Sequence, residues 1–399
     1  MLVTANKEKA TEIDNDVITQ ILNMYPEENL IERTVFKEAL ERGTIEFKDL
    51  RNESDKILIP WQMFLLEPEI LKRELSHIDK QRSDKISDKL FSKRKGEGDI
   101  TSKRILDRLI RLQNFICENS QMSQNEYCGS LVGKKDNECI GHIVSYFEIN
   151  LEIFRSKNKN EALAYLISKI QNKGINISQG VLANKMLPAW QVVGNELYKN
   201  TSGFVIKDEK VPFIFLPSEI SPNEVDSRQI YTLIYLVFLI GLNEYDILIE
   251  KDFKAKAINA KGVQARLYKL TSELLLPSEH SDKLNGSDID EALRDSLASK
   301  YKMSATAIVV TLRIRKIISA GQYKTLMPPE YVKNKNNSKQ PMSSPAIENS
   351  VKKFCGKYSF DLVNTNIKNG TLTSVQAQYL LFGSVNKKNF KKYRMRLKI

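Results

Sequence analysis

The apolar residues of this chain follow a helical spacing over most of its length. A helix predicted to open after residue 99 repeats them every three or four positions, at Ile105, Leu109, Leu112 and Ile116. Two apolar runs, 202–207 and 211–216, are separated by three polar residues and predict a β-hairpin. The stretch Arg228–Gly241 is apolar on almost every side, which is typical of a buried helix. The pattern predicts an α+β fold, predominantly helical, with a small β-hairpin or sheet.

Changes in composition divide the chain into five segments. Residues 327–346 are rich in Pro, Asn and Ser and are typical of a linker. The predicted segments are an eroded helix-turn-helix-like helical module at 1–66, a charged helical connector at 67–158, a core at 159–326, the linker at 327–346 and a basic helical module at 347–399. Within the first module we expect a turn at Gly43 and a small apolar core that includes Ile45, Phe47 and Leu50.

The core segment carries the most informative order of elements. A helix at 161–172 is followed by a strand at 174–177, the hairpin, the apolar helix and then Ser272–Pro277, which reads SELLLP. This order resembles the core of the ImmA/IrrE family of zinc peptidases. In that family the apolar helix carries His-Glu-x-x-His, and here Tyr235, Leu236 and Leu239 take the places of His, Glu and His.

The residues at those places cannot supply the chemistry that the resemblance implies. Two histidines four residues apart share one helix face and bind one zinc ion, and the glutamate takes a proton from the metal-bound water. Tyr235 and Leu239 offer no imidazole, Leu236 accepts no proton, and 262–268, where the third ligand is expected, holds no carboxylate. We therefore predict a degenerate zincin-like core, a pseudo-peptidase without catalytic residues, metal ion or cofactor.

The resemblance implies a regulatory role. Members of this family accompany repressors, toxins or mobile elements and cut or bind a partner protein. The expectation is a non-catalytic regulator that binds a protein partner, on either side of a toxin-antitoxin pair or in a prophage or phage-defence locus. A minor alternative is an active metallopeptidase whose ligands have moved elsewhere in the chain.

Charge adds a second hypothesis, because it is unevenly spread. The formal net charge is +12, yet residues 1–60 hold 8 Lys and Arg against 13 Asp and Glu, whereas residues 331–399 hold 14 against 2. The last predicted helix, 386–398, follows a glycine turn as in a helix-turn-helix. The candidate nucleic-acid-binding residues on it are Lys387, Lys388, Lys391, Lys392 and Arg394. The alternative function is thus a DNA- or RNA-binding regulator. A basic tail that only increases solubility is the other interpretation of this charge.

Several other features narrow the functional classes. No apolar run reaches the 18 residues of a membrane span, and the first residues lack the apolar stretch of a signal peptide, so we expect a cytoplasmic protein without a membrane partner. The four cysteines are then expected to be reduced thiols, and Cys128, Cys139 and His142 lack the spacing of a metal site. A basic face on the helix after residue 99 is interpreted as solvated, with nucleic-acid contact as the lesser alternative; it comprises Lys103, Arg104, Arg108 and Arg111.

Overall fold

A computed structural model describes most of the chain. The described residues are 1–5, 8–23, 30–57, 59, 61–85, 100–120, 122–181, 201–217, 225–245, 249–250, 257–328, 346–383 and 387–399. Among them helices dominate, and the strands form a three-stranded and a four-stranded sheet. The predicted α+β, mostly helical class is therefore confirmed. None of the described helices is both long enough and apolar enough to cross a bilayer.

The N-terminal part forms a small unit with its own core. Its elements are β1 (Leu2–Ala5), β2 (Glu8–Glu12), α1 (Asn15–Leu22), α2 (Thr34–Arg42), β3 (Thr44–Glu46), α3 (Phe47–Ile57) and α4 (Pro68–Lys85). The strands pair in the order β2-β1-β3, with β2 antiparallel and β3 parallel to β1. The turn at Gly43 is confirmed, since its φ of 70° ends α2 in the left-handed region.

The helical module predicted at 1–66 also contains these three short strands. The hydrophobic pattern does not reveal these strands, because they are only three to five residues long and largely polar, as in the EKATE sequence of β2. Too few alternating apolar positions remain to reveal a period of two. The small core itself matches expectation, since Ile45 and Leu50 are buried in it and Phe47 packs against it.

The central part is built around the second sheet. Its elements are α5 (Ile100–Asn119), α6 (Asp136–Tyr146), α7 (Leu151–Ser156), α8 (Lys159–Gln171), β4 (Asn176–Gln179), β5 (Thr201–Ile206), β6 (Phe213–Leu216), α9 (Val225–Leu242), β7 (Ile249–Glu250), α10 (Gly262–Leu275), α11 (Ser278–Ser281), α12 (Glu291–Lys300), α13 (Ala305–Ile314) and α14 (Ala320–Leu326). The hairpin is confirmed, with β5 and β6 antiparallel and Val205 opposite Ile214. The element order is the predicted one, while the zincin-like nature of the core stays a prediction.

Both faces of this sheet are apolar and covered. Side chains alternate along a strand, so that Val205 and Ile214 face one side while Phe204 and Phe215 face the other. The first side packs against α9, which also contacts α8 and α10. The second side belongs to a core shared with α5 and the C-terminal helices. The sheet therefore joins two hydrophobic cores.

The C-terminal part covers that second face. Its helices are α15 (Ile347–Cys355), α16 (Lys357–Lys368), α17 (Ser374–Phe382) and α18 (Lys387–Leu397). Edge strand β4 holds the end of α15, because the Asn176 side chain donates to the Cys355 carbonyl at 2.8 Å and the Ser178 hydroxyl donates to the Phe354 carbonyl. These carbonyls lack partners within the helix, so the strand acts as its cap. Most of the predicted linker, 329–345, lies outside the described residues.

Candidate functional site

The helix that would carry a zinc motif is sealed inside the central core. Tyr235, Leu236 and Leu239 expose 0%, 1% and 1% of their surface. Helix α9 lies so close to β5 that a Cβ at Gly203 would be 3.1 Å from Leu236 Cδ1 and 2.8 Å from the Phe215 carbonyl oxygen. The absence of a side chain at Gly203 therefore allows this packing. The predicted burial of Leu236 and Leu239 is confirmed.

The chemistry around Tyr235 does not suit a metal ion. Its ring packs on Tyr268 of α10 at 5.2 Å, and its hydroxyl finds no hydrogen-bond partner among the described residues. Burial raises the pKa of the Tyr235 hydroxyl well above its usual value near 10, so the phenolate that a metal would require is disfavoured. Leucines at the other two positions cannot bind zinc. These residues do not fit the ion that the resemblance implies.

The SELLLP segment has a structural role at the end of α10. The Glu273 carboxylate accepts from the Ser278 backbone N–H at 2.7 Å, and it forms an ion pair with Arg315 at 2.8 Å. Arg315 also donates to the Leu276 carbonyl at 2.8 Å. The carboxylate thus ties the helix end, the following turn and the residue after α13 together. The polar atoms of this segment therefore stabilise the fold.

The acidic and sulfur-containing residues that the sequence singled out do not converge. Glu250 lies in β7 and Asp252 lies outside the described residues. Within the described part of the chain, no group of three His, Cys, Asp or Glu side chains is placed to hold a metal ion. Cys117, Cys128, Cys139 and Cys355 are free thiols.

The basic face predicted on α5 is only partly exposed to solvent. Arg111 is exposed, but Arg108 exposes only 3% of its surface and lies in the core shared with the C-terminal helices. Burial lowers the pKa of the Arg108 guanidinium to about 9. The prediction of a solvated face was wrong at this residue, because the C-terminal helices cover it. Arg108 is therefore not available to a nucleic acid.

The basic helix α18 presents its charges to solvent. Its apolar side is fixed by Phe390 and Tyr393, whose hydroxyl donates to Asn364 Oδ1 at 2.8 Å and whose ring meets Phe382 edge-on at 5.5 Å. The five predicted nucleic-acid-binding residues are all exposed: Lys387, Lys388, Lys391, Lys392 and Arg394. The structure therefore leaves these cations accessible, and their role in binding stays a prediction.

Three cations share one side of α18, and a fourth follows its last residue. Lys387, Lys391 and Arg394 are spaced four and three residues apart, which places them on one side of the helix, and Lys398 lies in the turn directly after it and lines the same groove. We call these residues the inner stripe. Lys388, Lys392 and Arg396 follow one another at steps of four residues on a neighbouring side of the helix. We call them the outer stripe. Lys398 was not among the predicted binding residues, and helical spacing could not have placed it beside the groove, because its backbone has left the helix with a φ of 53°.

The inner stripe borders an open groove of about 640 Å³ between the first turn of α17 and α18. The lining residues are Ser374, Val375, Gln378, Lys387, Phe390, Lys391, Arg394, Met395, Lys398 and Ile399. The two stripes thus differ in surroundings, because Lys388 and Lys392 are not part of this lining. Two contacts with other lining residues position the Arg394 side chain. Its guanidinium carbon lies 6.0 Å from the Phe390 ring centroid, and its Nε donates to the Ile399 main-chain oxygen at 2.9 Å.

Helix α17, which forms one side of the groove, has a defined start and a defined end. The predicted capping box opens α17, since Thr373 Oγ1 accepts from the Gln376 N–H at 3.3 Å and Gln376 Oε1 accepts from the Thr373 N–H at 3.0 Å. Gly383 ends α17 with a φ of 75°, as the sequence predicted. Local sequence signals therefore fix both ends of the helix that faces the inner stripe.

The charges of α18 are not balanced within the chain. Arg396 forms an ion pair with Glu348 at 3.1 Å, whereas the inner stripe and Lys388 and Lys392 form no ion pair with an Asp or Glu side chain in the described part of the structure. Like charges four residues apart on a helix cost about 0.2–0.5 kcal/mol per pair. A helix with several such pairs is less stable alone than a mixed-charge helix would be. An anion in the groove would relieve this repulsion.

One buried polar atom in the groove lining also lacks a partner. Gln378 exposes 3% of its surface, and its Nε2 donates to the Ser374 carbonyl at 2.9 Å, while its Oε1 finds no donor among the described residues. An unmade hydrogen bond of this kind costs about 1–3 kcal/mol. The lining thus combines cations with exposed apolar side chains, of which Val375 exposes 50% and Met395 66%, and the unpartnered Oε1 of Gln378 lies enclosed just beneath it.

Comparisons of this chain with protein-family models, with curated proteins and with solved structures found no match.

Proposed function

We propose that this protein is a nucleic-acid-binding regulator that acts through the groove between α17 and α18. The observation that carries the proposal is the inner stripe, three exposed cations on one side of α18 and a fourth in the turn after it, without an ion-pairing Asp or Glu among the described residues. Nucleic-acid phosphates are the abundant cellular anions with a regular spacing of charges. Several such contacts give an affinity that falls steeply with salt.

The acidic N-terminal unit does not weaken this proposal. Residues 1–60 carry a net charge of −5, but none of the described residues in this range lines the groove. The field near the groove is set by the closest charges, because ions screen interactions beyond about 8–10 Å at physiological salt. A phosphate at the groove would therefore respond mainly to the cations of α18.

The experiment is a fluorescence anisotropy titration of a labelled oligonucleotide with the full chain. Neutralising the inner stripe in the variant Lys387→Gln, Lys391→Gln, Arg394→Gln should weaken binding at least tenfold. A matched control loses the same three charges elsewhere, at the exposed residues Lys261, Lys283 and Lys324. The control should bind as the unchanged chain does. Equal losses in both variants, or no binding by the unchanged chain, would refute the proposal.

We further infer that the central core is a non-catalytic scaffold. This agrees with the non-catalytic regulator that the ImmA/IrrE resemblance implies. The supporting observation is the sealed packing of Tyr235, Leu236 and Leu239. Purified protein is expected to contain no stoichiometric zinc and to leave casein uncut. One tightly bound zinc per chain, lost in a Glu250→Ala variant, would instead support a peptidase with relocated ligands. A protein partner stays an expectation from the resemblance, without a surface assigned to it.

A further inference from the structure

We propose that the groove between α17 and α18 is built for single-stranded rather than double-stranded nucleic acid, with phosphates on the inner stripe and a base inserted beside Val375, Gln378 and Met395. This inference rests on the proposed function and names its substrate class. It follows from three properties of the groove lining that phosphate binding alone does not require.

The first property is the unsatisfied acceptor. Gln378 Oε1 is buried and has no donor among the described residues, although its Nε2 is bonded to Ser374. Phosphate oxygens only accept hydrogen bonds and cannot satisfy it. The amino and imino groups of nucleobases are donors, and in a single strand these base edges are free of Watson–Crick partners. Oε1 is enclosed by protein atoms in the free groove, so a base reaches it once the Gln378 side chain, which lines the groove, turns outward, and the hydrogen bond gained favours a base there.

The second property is the exposed apolar surface. Val375 and Met395 are among the large apolar side chains that the described residues expose most, at 50% and 66%, and both line the groove. A duplex presents a charged backbone to a concave surface, so these side chains would gain little from it. The flat face of an unstacked base is apolar and would cover them, as in sequence-tolerant single-strand binding.

The third property is the shape of the site. A protein that reads a duplex inserts a protruding helix or ribbon into the major groove. Here the inner stripe runs along the wall of a concavity of about 640 Å³, which is within the range of about 300–1,000 Å³ typical of ligand pockets. A strand can thread such a groove with its phosphates on one wall. The first turn of α17, at Ser374 and Val375, adds the positive end of a helix dipole to the opposite wall.

The test compares a labelled single strand with a hairpin duplex of the same sequence and label, each titrated with the full chain at one salt concentration. We expect the single strand to bind at least tenfold more tightly. The variants Val375→Ser, Met395→Ser and Gln378→Leu should each weaken single-strand binding about fivefold, which corresponds to the loss of about 1 kcal/mol of contact with the inserted base. Duplex affinity should not change, because duplex contacts involve only the cations.

The control is Val132→Ser, which removes a valine with 61% exposure from a turn outside the groove. It should bind like the unchanged chain, and melting temperatures of all variants confirm that they are folded. If duplex binds as tightly as single strand, or the groove variants bind single strand normally, this inference is wrong while the proposed function stands. If no oligonucleotide binds, both are wrong. If a labelled acidic helical peptide binds and oligonucleotides do not, the groove is a protein-binding site and both are again wrong.

Discussion

Leu236 is a structural residue at a position where the ImmA/IrrE resemblance implies a general base. It lies on α9, packs against β5 and exposes 1% of its surface. Leu236→Asp is expected to lower the free energy of unfolding by about 3–5 kcal/mol, because it buries a charge without a partner. Leu236→Met keeps volume and polarity and should cost less than about 1.5 kcal/mol. Urea unfolding followed by circular dichroism measures both, and an unperturbed aspartate variant would show that this helix face is open.

Tyr235 and Tyr231 provide a matched pair one helical turn apart. The Tyr231 hydroxyl is satisfied by Ser272 Oγ at 3.1 Å and the Tyr268 carbonyl at 3.3 Å, whereas the Tyr235 hydroxyl has no partner among the described residues. At pH 7, Tyr235→Phe should leave stability equal or higher, and Tyr231→Phe should lower it by about 1 kcal/mol. A larger loss for Tyr235→Phe than for Tyr231→Phe would indicate an unrecognised polar partner for Tyr235.

The same tyrosine predicts a dependence on alkaline pH. Burial raises the pKa of Tyr235 above 10 in the folded chain, so the folded state keeps a proton that the unfolded state releases. The contribution of Tyr235 to stability is therefore fully present below pH 10 and is lost as the pH rises above 10. Tyr235→Phe removes this titration, so its stability should fall less steeply than that of the unchanged chain in unfolding curves at pH 9.5 to 11. Parallel curves would mean that this hydroxyl ionises without unfolding.

At the scale of one element, α18 has two basic stripes that sequence reasoning could not separate. The five predicted binding residues include members of both, but only Lys387, Lys391 and Arg394 line the groove. For a single strand, each phosphate contact contributes about 0.7 to the slope of log affinity against log salt. The double variant Lys387→Gln, Lys391→Gln should therefore reduce the slope by about 1.4.

The outer pair gives the matched comparison. Lys388→Gln, Lys392→Gln removes the same charge from the same helix and should leave the slope nearly unchanged. Anisotropy titrations at several salt concentrations measure both slopes. If the outer pair changes the slope as much as the inner pair does, the nucleic acid lies on the exposed side of α18, and the groove is not the binding surface.

At the scale of the whole molecule, the C-terminal helices are part of the fold. The core that they share with the sheet includes Phe204, Phe213 and Phe215. Removing residues 347–399 would expose this apolar face to water and destabilise the rest of the chain. Loss of binding after such a truncation would not identify the binding surface. Point variants on α18 are the appropriate test, because they change surface charge and leave the shared core intact.

The junction between β4 and α15 offers a test of this shared architecture. Gly356 has φ 78° and ψ 155°, a conformation almost limited to glycine, and a Cβ there would lie 2.4 Å from Asn176 Oδ1. Gly356→Ala should therefore destabilise the chain by about 1–3 kcal/mol from backbone strain alone, and more from the clash. The control, Gly370→Ala, has a similar φ of 70° with no atom within 4 Å of the added Cβ.

The comparison of the two glycine variants measures what the contact with β4 and the extended ψ of Gly356 cost together. Gly370→Ala carries only the strain of a positive φ, so its loss in urea unfolding should be smaller than that of Gly356→Ala. Equal losses would show that the strand and the end of α15 separate easily. The C-terminal helices would then be a peripheral addition rather than one wall of the core.

The sequence by itself determined the features that depend on local periodicity and capping. The helix spacing, the hairpin, the capping box at Thr373 and the glycine stop at Gly383 were all predictable, because each is specified within a few residues. The basic stretch on the last helix was equally evident. The short strands of the N-terminal unit were not predicted, because pairing with a distant strand stabilises them and their own sequences are too short to signal it.

Only the tertiary structure decided which side of each element is available. The unbroken apolar runs of β5 and β6 indicate that both faces are covered, but only the packing shows that the C-terminal helices cover one of them. That packing buries Arg108, which the sequence placed on a solvated face, and it leaves the inner stripe beside a groove. The physical reason is that burial depends on contacts between residues far apart in the chain. A charge pattern within one helix therefore identifies candidate residues, and the neighbouring elements decide which of them can meet a ligand.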